Sequence, residues 1–241
     1  KQLNTGLTRA SIPDRTTLVV AFSGGPDSSA LLDGLSILSE KKCFKLIACH
    51  INHQIRLDSC ERDEIAAKYI AESLGIEFSS TTVNVPKISK QQKISIETAA
   101  RKVRYEILRE LSEKYNAHGV VTGHTRDDQA ETVLFHAGRG TGLKGLAGMD
   151  YRSTLRFPHS EIKLTVLRPL LDTSRSTINH YCKQRGIQPV NDASNDDREH
   201  TRNKIRLDVL PALDVATPGA KSALARLAEN TSDDLEIVNW V

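Results

Sequence analysis

A stretch with the composition of a phosphate-binding loop lies near the amino terminus, where the chain reads Ser23, Gly24, Gly25, Pro26, Asp27 and Ser28. The apolar run LVVAF precedes it and leucines at helical spacing follow, so the pattern predicts a turn from a strand into a helix. Backbone N–H groups and the helix dipole attract an anion there, two glycines allow close approach, and the serines add hydroxyl donors. Asp27 would repel phosphate unless a magnesium ion lies between them, so the stretch predicts a magnesium polyphosphate site. An ordinary turn, which uses the same residue types, is the alternative.

Two better-known glycine motifs do not describe this chain. The loop lacks the Gly-Lys-Ser/Thr ending of a Walker A motif, so the lysine that holds the outer phosphates in those enzymes is missing. A Gly-x-Gly-x-x-Gly pattern runs from Gly140 to Gly145, but it follows a helical segment rather than a strand. We therefore do not interpret that pattern as a dinucleotide site.

Carboxylates at helical spacing form a second chemical candidate in the stretch DDQAET. Asp128 and Glu131 are three residues apart and share a helix face, as do Asp127 and Glu131 at a spacing of four. Such a pair can hold an ammonium group and accept its proton, which frees the amine for attack. Capping of the helix by acidic residues is the alternative. We favour the chemical role because a cap does not require the whole block Gly-His-x-x-Asp-Asp-Gln.

Histidine and asparagine end the second predicted strand, at the edge where an open parallel sheet places ligand contacts. These residues are His50 and Asn52. His50 and His53 resemble a metal pair, but no third ligand of fitting spacing accompanies them, and we do not interpret them as a metal site.

Basic residues recur beside these candidates, although any single one is more often a solvated surface residue. Two lie off the apolar stripe of their predicted helix, one lies in a glycine-rich segment, and the TRNKIR stretch spaces two of them one turn apart. The candidates for phosphate or base contacts are Arg101, Arg104, Arg139, Arg202, Asn203 and Arg206.

The elements that must position these side chains alternate between strand-like and helix-like segments. TLVVAF, FKLIACHI, IEFSSTTVNV and HGVVTGH read as strands, each followed by a segment with helical periodicity. This alternation predicts an α/β fold: a Rossmann-like parallel sheet with helices on both faces, followed by a helical segment. Beyond it, five glycines in GRGTGLKGLAGM predict a mobile loop, LRFPHSEIKLTVLRPLL predicts a hairpin, and helices are predicted over 175–185 and 217–240.

Composition restricts the class of protein. The 241 residues are 39% hydrophobic, which is enough for a sizeable core, and a net charge of +3 is too mild to demonstrate a nucleic-acid partner. The four cysteines form no Cys-x-x-Cys pair, which indicates reduced thiols and a cytoplasmic protein, with an organelle such as a plastid as an alternative. No segment approaches the length of a membrane span, and the polar start lacks the apolar region of a secretory signal.

The phosphate-binding loop resembles the pyrophosphate loop of the N-type ATP pyrophosphatases, the PP-loop family, whose members adenylate an oxygen of a second substrate. Further blocks are similar to those of the tRNA(Ile)-lysidine synthetase family within it, from about Leu18 to Leu213. The blocks are HINHQIR, ETAARKVRYEIL, GHTRDDQAETVLFHAGRGTGLKGLAGM, RPLL and NDASNDDREHTRNKIR. One departure is that Thr125 stands where that family usually has the second histidine of Gly-His-His, so a role for that histidine is unsupported.

The resemblance implies a ligase that uses ATP and Mg²⁺ to join free L-lysine to C2 of the wobble cytidine in tRNA(Ile) with a CAU anticodon. The C2 oxygen is first adenylated with loss of pyrophosphate, the lysine amine then attacks, AMP departs, and the product reads AUA as isoleucine. The catalytic residues implied are Asp27, Asp128, Glu131 and Arg104, with Asp27 also the metal ligand. The ATP-binding residues implied are Ser23, Gly24, Gly25, Pro26, Asp27, Ser28, His50, Asn52, Gly123 and His124. The substrate and tRNA contacts implied are Arg101, Arg139, Arg202, Asn203 and Arg206.

Three other activities remain open from the sequence. A tRNA thiolase of the same family would be expected to show cysteine pairs, which the sequence lacks. A pyrophosphatase acting on a small metabolite would explain the loop but not the glycine block or the NDASND run, and a nucleotide-binding sensor needs no acidic helix pair. We further expect a catalytic domain over 1–215 and a trailing helix over 216–241 that begins a linker to a C-terminal region outside this chain. The oligomeric state stays open, a homodimer included.

Overall fold

In the computed structural model, residues 1–55, 60–158, 160–190 and 201–240 are described, without the side chains of 60, 239 and 240. Residues 56–59 of the HINHQIR block and residues 191–200 of the NDASNDDREHTRNKIR block lie outside the described residues. Within the described part, six strands form one sheet in the order β3-β2-β1-β4-β6-β5. The strands are β1 Thr17–Ala21, β2 Lys45–Asn52, β3 Glu77–Thr82, β4 Gly119–Val121, β5 Arg152–Arg156 and β6 Lys163–Leu167. All neighbours pair in parallel except β5 and β6, which form the predicted hairpin at the edge.

The helices cover both faces of this sheet, which confirms the predicted fold class. They are α1 Gln2–Arg9, α2 Pro26–Lys42, α3 Cys60–Ser73, α4 Val85–Gln92, α5 Ile96–Lys114, α6 Arg126–Ala137, α7 Leu143–Leu146, α8 Arg175–Arg185, α9 Thr201–Lys204, α10 Leu210–Ala216 and α11 Ala220–Trp240. A π-helical turn, Ile205–Val209, joins α9 to α10. Because a central parallel strand is buried on both faces, β1 is a continuous apolar run. Its residues Leu18 and Val20 pack into the core that contains α2, and Val19 packs on the opposite side with Tyr105 and Leu108 of α5.

Several helical segments were not predicted from the sequence, among them α1, α4, α7 and α10. The polar start folds as α1 because Leu7 and Ala10 are buried against the body. Asn84 caps α4, its side-chain oxygen accepting from the Lys87 N–H at 2.9 Å. The glycine-rich segment predicted as a loop contains α7, and the ring Nδ1 of His136 lies 2.8 Å from the Gly145 carbonyl oxygen. Side-chain contacts from α6 therefore order part of a segment whose composition indicated a loop.

The strand order creates a switch point between β1 and β4. The chain steps from β1 to β2 and β3 on one side and places β4 on the other, so the loops after β1 and β4 diverge around a crevice. In open α/β sheets this crevice, outside the carboxyl ends of the strands, is where ligands bind. The loop before α2 and the loop before α6 are the two segments that flank it.

The carboxyl-terminal helix α11 packs along α6 and α7. Arg9 of α1 forms one ion pair with Asp172 at 2.8 Å and a second with Glu229 of α11. Its guanidinium also lies over the Tyr151 ring. The boundary between 215 and 216 stays a prediction, although α11 itself lies against the body. Among the described residues, no helix combines the length and apolar character needed to cross a membrane.

Candidate active site

The loop between β1 and α2 has a backbone that only glycine accommodates at one position. Gly24 has a φ of +83°, and a Cβ there would lie 2.9 Å from the Cγ2 atom of Val190. Its carbonyl accepts hydrogen bonds from the Ser29 hydroxyl at 2.9 Å and from the Val190 N–H at 2.9 Å. The Ser23 and Ser28 hydroxyls are 3.1 Å apart. The predicted phosphate loop is thus held in shape from both sides, by its own helix and by Val190.

The loop after β4 lies directly against this first loop. A Cβ on Gly123 would approach the Asp27 carbonyl carbon to 3.0 Å and the Ser28 nitrogen to 3.1 Å. A side chain at position 123 therefore requires one of the two loops to move. The neighbouring His124 places its Nδ1 atom 2.8 Å from the Thr122 hydroxyl. Burial, with the nearby positive charges of Arg168 and Arg202, lowers the pKa of His124 to about 3, so its imidazole is neutral at physiological pH.

The acidic helix α6 presents its carboxylates to the same crevice. Asp128 closes a capping box with Thr125: its Oδ2 atom accepts from the Thr125 N–H and hydroxyl, both at 2.8 Å. The capping interpretation is therefore true for one oxygen of Asp128. Its other oxygen, Oδ1, lies 3.3 Å from Arg175 and 3.6 Å from Arg202. Glu131, one turn later, is only 3% exposed and accepts a hydrogen bond from Arg202 at 3.2 Å.

Arg175 is the site residue that sequence reasoning missed. It is the first residue of α8, its backbone N–H donates to Asp127 at 2.8 Å, and its guanidinium lies within 3.6 Å of Asp27, Asp128 and Glu131. Its position just after the Ser174 cap is an ordinary helix start, and the residues around it carried no chemical motif. Only the packing of α8 against α2 brings it to the carboxylates.

Asp27 lies in surroundings that oppose its ionisation. Its side chain is 23% exposed, its Oδ2 atom is 3.6 Å from Arg175, and its Oδ1 atom has no hydrogen-bond partner in the described part of the chain. Burial raises the pKa of Asp27 to about 6; Arg175 opposes this shift and Asp128 adds to it. A cation at Oδ1 would satisfy the open oxygen and favour the carboxylate.

Burial also shapes the other two carboxyl groups. It raises the pKa of Glu131, with Asp128 adding to the shift and Arg202 opposing it. For Asp128 burial acts in the same direction, but the charges of Arg175 and Arg202 and the hydrogen bond with Thr125 help to outweigh it and lower the pKa. Across the described residues, no group of three or more His, Cys, Asp or Glu side chains is arranged to hold a metal.

The end of β2 lies beside the start of the phosphate loop. His50 is buried, and its Nδ1–H donates to the Phe22 carbonyl at 3.0 Å. Asn52 uses its amide internally, donating to Glu64 at 3.2 Å and accepting from the Gln54 N–H at 3.1 Å. Burial lowers the pKa of His50, so a neutral imidazole lies next to the loop.

The predicted RNA contacts divide between the carboxylate cluster and the surrounding surface. Arg202 contacts Asp128 and Glu131, and Arg206 lies 3.9 Å from Glu131, so the TRNKIR stretch reaches the acidic helix directly. Asn203 follows Arg202 on α9, and Arg206 lies in the π-helical turn after it. Crowding by protein atoms lowers the pKa of Arg104, and the charges of Arg101 and Arg202 lower it further, which places these cations near one another. Arg139 instead stacks over the exposed end of α6, 4.7 Å from the Phe135 ring centre.

Comparisons with known proteins show which family the chain belongs to. The PP-loop domain family matches residues 2–213 of the chain. A tRNA(Ile)-lysidine synthase of Clostridioides difficile is 37% identical over 223 residues, which are 92% of this chain and 46% of that protein. The enzyme of the same name from Clostridium acetobutylicum is 36% identical over 240 residues, 97% of this chain and 50% of its own length. The chain thus spans about half the length of the curated relatives it matches.

Solved structures share the fold at low sequence identity. The U34-tRNA thiolase NcsA from Methanococcus maripaludis, solved with its [4Fe-4S] cluster, superposes with a TM-score of 0.77 at 19% identity, covering 95% of this chain and 76% of the thiolase. An NH3-dependent NAD synthetase from Campylobacter jejuni superposes with a TM-score of 0.52 at 15% identity, covering 96% of this chain and 92% of the synthetase. At such identities the likeness shows the fold alone.

Proposed function

This chain belongs to the PP-loop domain family, and we propose that it is the catalytic part of a tRNA(Ile)-lysidine synthase. The observation that carries the proposal is the meeting of two half-sites: the phosphate loop with Asp27, and the buried carboxylates Asp128 and Glu131 on α6. An enzyme that adenylates one substrate and then admits an amine needs both functions side by side. The relatives of that name, 36% and 37% identical over nearly the whole chain, support the same interpretation.

The first half-site fits ATP with Mg²⁺. The start of α2 has no side-chain cap and offers backbone N–H groups to phosphate, and Gly24, with a φ of +83°, allows the turn that leads into it. Mg²⁺ in nucleotide sites uses one or two carboxylates together with substrate phosphates, so the single open oxygen of Asp27 is a sufficient protein ligand. Bound Mg²⁺ supplies charge neutralisation for the departing pyrophosphate. In this assignment the residues that flank adenosine are His50, Asn52, Gly123 and His124.

The second half-site fits the amine of free L-lysine. Glu131 is buried and its Oε1 atom has no hydrogen-bond partner among the described residues, so it can accept one from an ammonium group. Asp128 directs its second oxygen to the same space. After adenylation of the cytidine C2 oxygen, the amine loses one proton to a carboxylate and attacks C2, and the C2–O bond breaks as AMP leaves. Burial, which raises the pKa of Glu131, suits that residue to take the proton.

The RNA contacts belong to the same proposal. A wobble cytidine lies in a single-stranded loop and can be turned into a pocket, where side chains read its edge and guanidinium groups meet nearby phosphates. Arg202 and Arg206 border the amine half-site directly, and Arg104 lies near Arg202. We assign Arg101, Arg139 and Asn203 to contacts further along the anticodon loop. Both tRNA and ATP are found wherever proteins are synthesised, so we place the reaction in the cytoplasm or in an organelle with its own translation.

The test measures both products of the reaction. The chain is incubated with ATP, Mg²⁺, labelled L-lysine and a tRNA(Ile) transcript carrying a CAU anticodon. We expect AMP, pyrophosphate and RNA-bound label in equal amounts. A transcript with uridine in place of the wobble cytidine is the matched control and should accept no label. ATP cleavage that is independent of lysine and RNA would contradict the proposal, and RNA-dependent use of a sulfur donor would favour the thiolase activity instead.

A further inference from the structure

Three carboxyl groups from two different helices meet at one guanidinium. The Nη2 atom of Arg175 lies 3.6 Å from Asp27 at the start of α2 and 3.3 Å from Asp128 on α6, and its Nη1 atom lies 3.5 Å from Glu131. Charge-assisted hydrogen bonds between guanidinium and carboxylate are usually near 2.8 Å, so each of these contacts is long. Arg175 therefore holds the group of carboxylates together without saturating any one of them.

The same contacts leave open the atoms that substrates need. Within the described part of the chain, Asp27 Oδ1, Glu131 Oε1 and Arg175 Nε have no hydrogen-bond partner although all three are buried. An open carboxylate oxygen attracts a cation. Asp27 Oδ1 lies on the phosphate loop, and Glu131 Oε1 lies on the acidic helix, 3.5 Å from Arg175 and 3.9 Å from Arg206. Among the described residues, each half-site thus contains one buried carboxylate oxygen without a hydrogen bond.

Helix α8 has the rigidity to hold Arg175 in this place. Its Arg185 pairs with the buried Asp33 of α2 at 3.1 Å, and Tyr181 donates to the same carboxylate. At its first residue, the Arg175 N–H donates to Asp127 of α6 at 2.8 Å. The helix thus contacts both of the elements whose carboxylates its side chain bridges.

We propose that Arg175 is a positioning residue that sets Asp27 and the pair Asp128 and Glu131 at a fixed separation, so that the magnesium–ATP half-site and the amine half-site are coupled. The inference rests on the proposed function and adds a role that neither half-site explains alone. Removing the guanidinium leaves three carboxylates facing one another, with Arg202 and Arg206 as the cations that still contact Asp128 and Glu131 in the described ranges, and the repulsion moves Asp27 away from α6. Both half-sites should then fail together.

The test compares Arg175→Gln with Arg175→Lys and with Lys183→Gln, an exposed charge on the same helix. We expect Arg175→Gln to raise both the Mg²⁺ concentration needed for half-maximal binding of a non-hydrolysable ATP analogue and the KM for lysine, each roughly tenfold. Arg175→Lys should recover only one of the two, because a single ammonium cannot reach three carboxylates. Lys183→Gln should leave both values unchanged.

Two outcomes would overturn the proposal. A folded Arg175→Gln variant with both values within about twofold of the parent chain would remove the positioning role. In Arg175→Gln, a shift confined to one half-site would remove the coupling. Because analogue binding needs neither lysine nor tRNA, the Mg²⁺ titration decides the first point even if the parent chain proves not to modify tRNA, and that result would count against the proposed function alone.

Discussion

Asp27 combines an unfavourable environment with a position at the centre of the candidate site. Burial and the neighbouring Asp128 raise its pKa, and Arg175 offsets only part of that shift. A residue selected for stability alone would not be an acid in such a place. Its open oxygen and its location on the phosphate loop explain why the sequence has aspartate there, since a cation bound with ATP reverses the penalty.

We expect Asp27→Asn to stabilise the metal-free chain while abolishing ATP cleavage. The pKa of Asp27 is about 6 in the folded chain against an ordinary 3.8, so the folded state binds this proton more tightly than the unfolded state does. Ionisation therefore destabilises the fold as pH rises from about 4 to about 6, and the full penalty is present above that range. Denaturant unfolding at about pH 8 should show a gain of about 3 kcal/mol for the variant, shrinking toward zero near pH 4.

The control for this prediction is Asp14→Asn. In the parent chain the Asp14 carboxylate pairs with Lys42 on the surface, and its side chain is 60% exposed. That variant should show no gain at alkaline pH. An Asp27→Asn chain that is folded and still cleaves ATP at the parent rate would contradict the metal-binding role of Asp27. A gain in unfolding free energy that does not depend on pH would contradict the explanation by ionisation of Asp27.

Glu131 provides the second prediction for a single residue. Glu131→Gln keeps the size of the side chain but removes its negative charge. The carboxylate pairs with Arg202 through Oε2, and its Oε1 atom has no hydrogen-bond partner among the described residues. We expect adenylation of the RNA to proceed near the parent rate and the KM for lysine to rise at least about tenfold. Pyrophosphate release measured with and without lysine separates the two steps. Unchanged lysine dependence would show that the amine binds elsewhere.

At the scale of elements, the site depends on the contact between two loops that follow neighbouring strands. Gly123, after β4, packs against the backbone of Asp27 and Ser28, after β1. Because of this contact, the position of the loop after β4 fixes the position of the phosphate loop after β1. A change that does not touch any charged group should therefore still impair nucleotide binding.

Gly123→Ala tests this contact. The new Cβ would lie 3.0 Å from the Asp27 carbonyl carbon, so one loop must shift by a few tenths of an ångström. We expect ATP affinity to fall roughly tenfold with a loss of stability of about 1 kcal/mol. Gly142→Ala is the matched control, because a Cβ at that position would have no atom within 4 Å and its φ of −84° suits alanine. Equal ATP affinities in the two variants would mean that the loops do not constrain each other.

At the scale of the whole molecule, charge is distributed so that arginines of the basic TRNKIR stretch contact the carboxylates of α6. The chain has a net charge of only +3, so RNA affinity must come from local cations rather than from overall attraction. Arg202 and Arg206 are 39% and 29% exposed, and both therefore contact Glu131 while still facing solvent. They are placed to meet RNA phosphates and the amine half-site at once.

Replacing Arg202 and Arg206 together by alanine should weaken tRNA binding and flatten its dependence on salt, while ATP binding is retained. Removing one cation that neutralises a phosphate reduces the slope of log affinity against log salt by about 0.7 to 0.9. The control variant replaces two exposed lysines, Lys41 in the last turn of α2 and Lys45 at the amino end of β2, and should leave the slope nearly unchanged. An unchanged slope in the arginine variant would place the RNA on another face, near Arg101 and Arg104.

The sequence by itself determined the features that depend on local pattern. Apolar runs and helical periodicity predicted the parallel sheet and its covering helices, and the spacing of Ser23 to Ser28 and of Asp128 and Glu131 predicted both groups of site residues. The resemblance of several ordered blocks indicated the family that the PP-loop match now shows. Local patterns suffice for these features because period and turn chemistry act between residues a few positions apart.

Only the tertiary structure decided how these groups meet. It ordered part of the glycine-rich segment as α7, it formed α1 and α4 from stretches with weak patterns, and it brought Arg175 to three carboxylates from two other helices. It also turned Arg202 and Arg206 toward Glu131. Arg175 has no unusual neighbours in the sequence, and its role arises because α8 packs against α2 at a switch point of the sheet. Contacts between distant segments depend on the packing of whole elements, which no short stretch of sequence encodes.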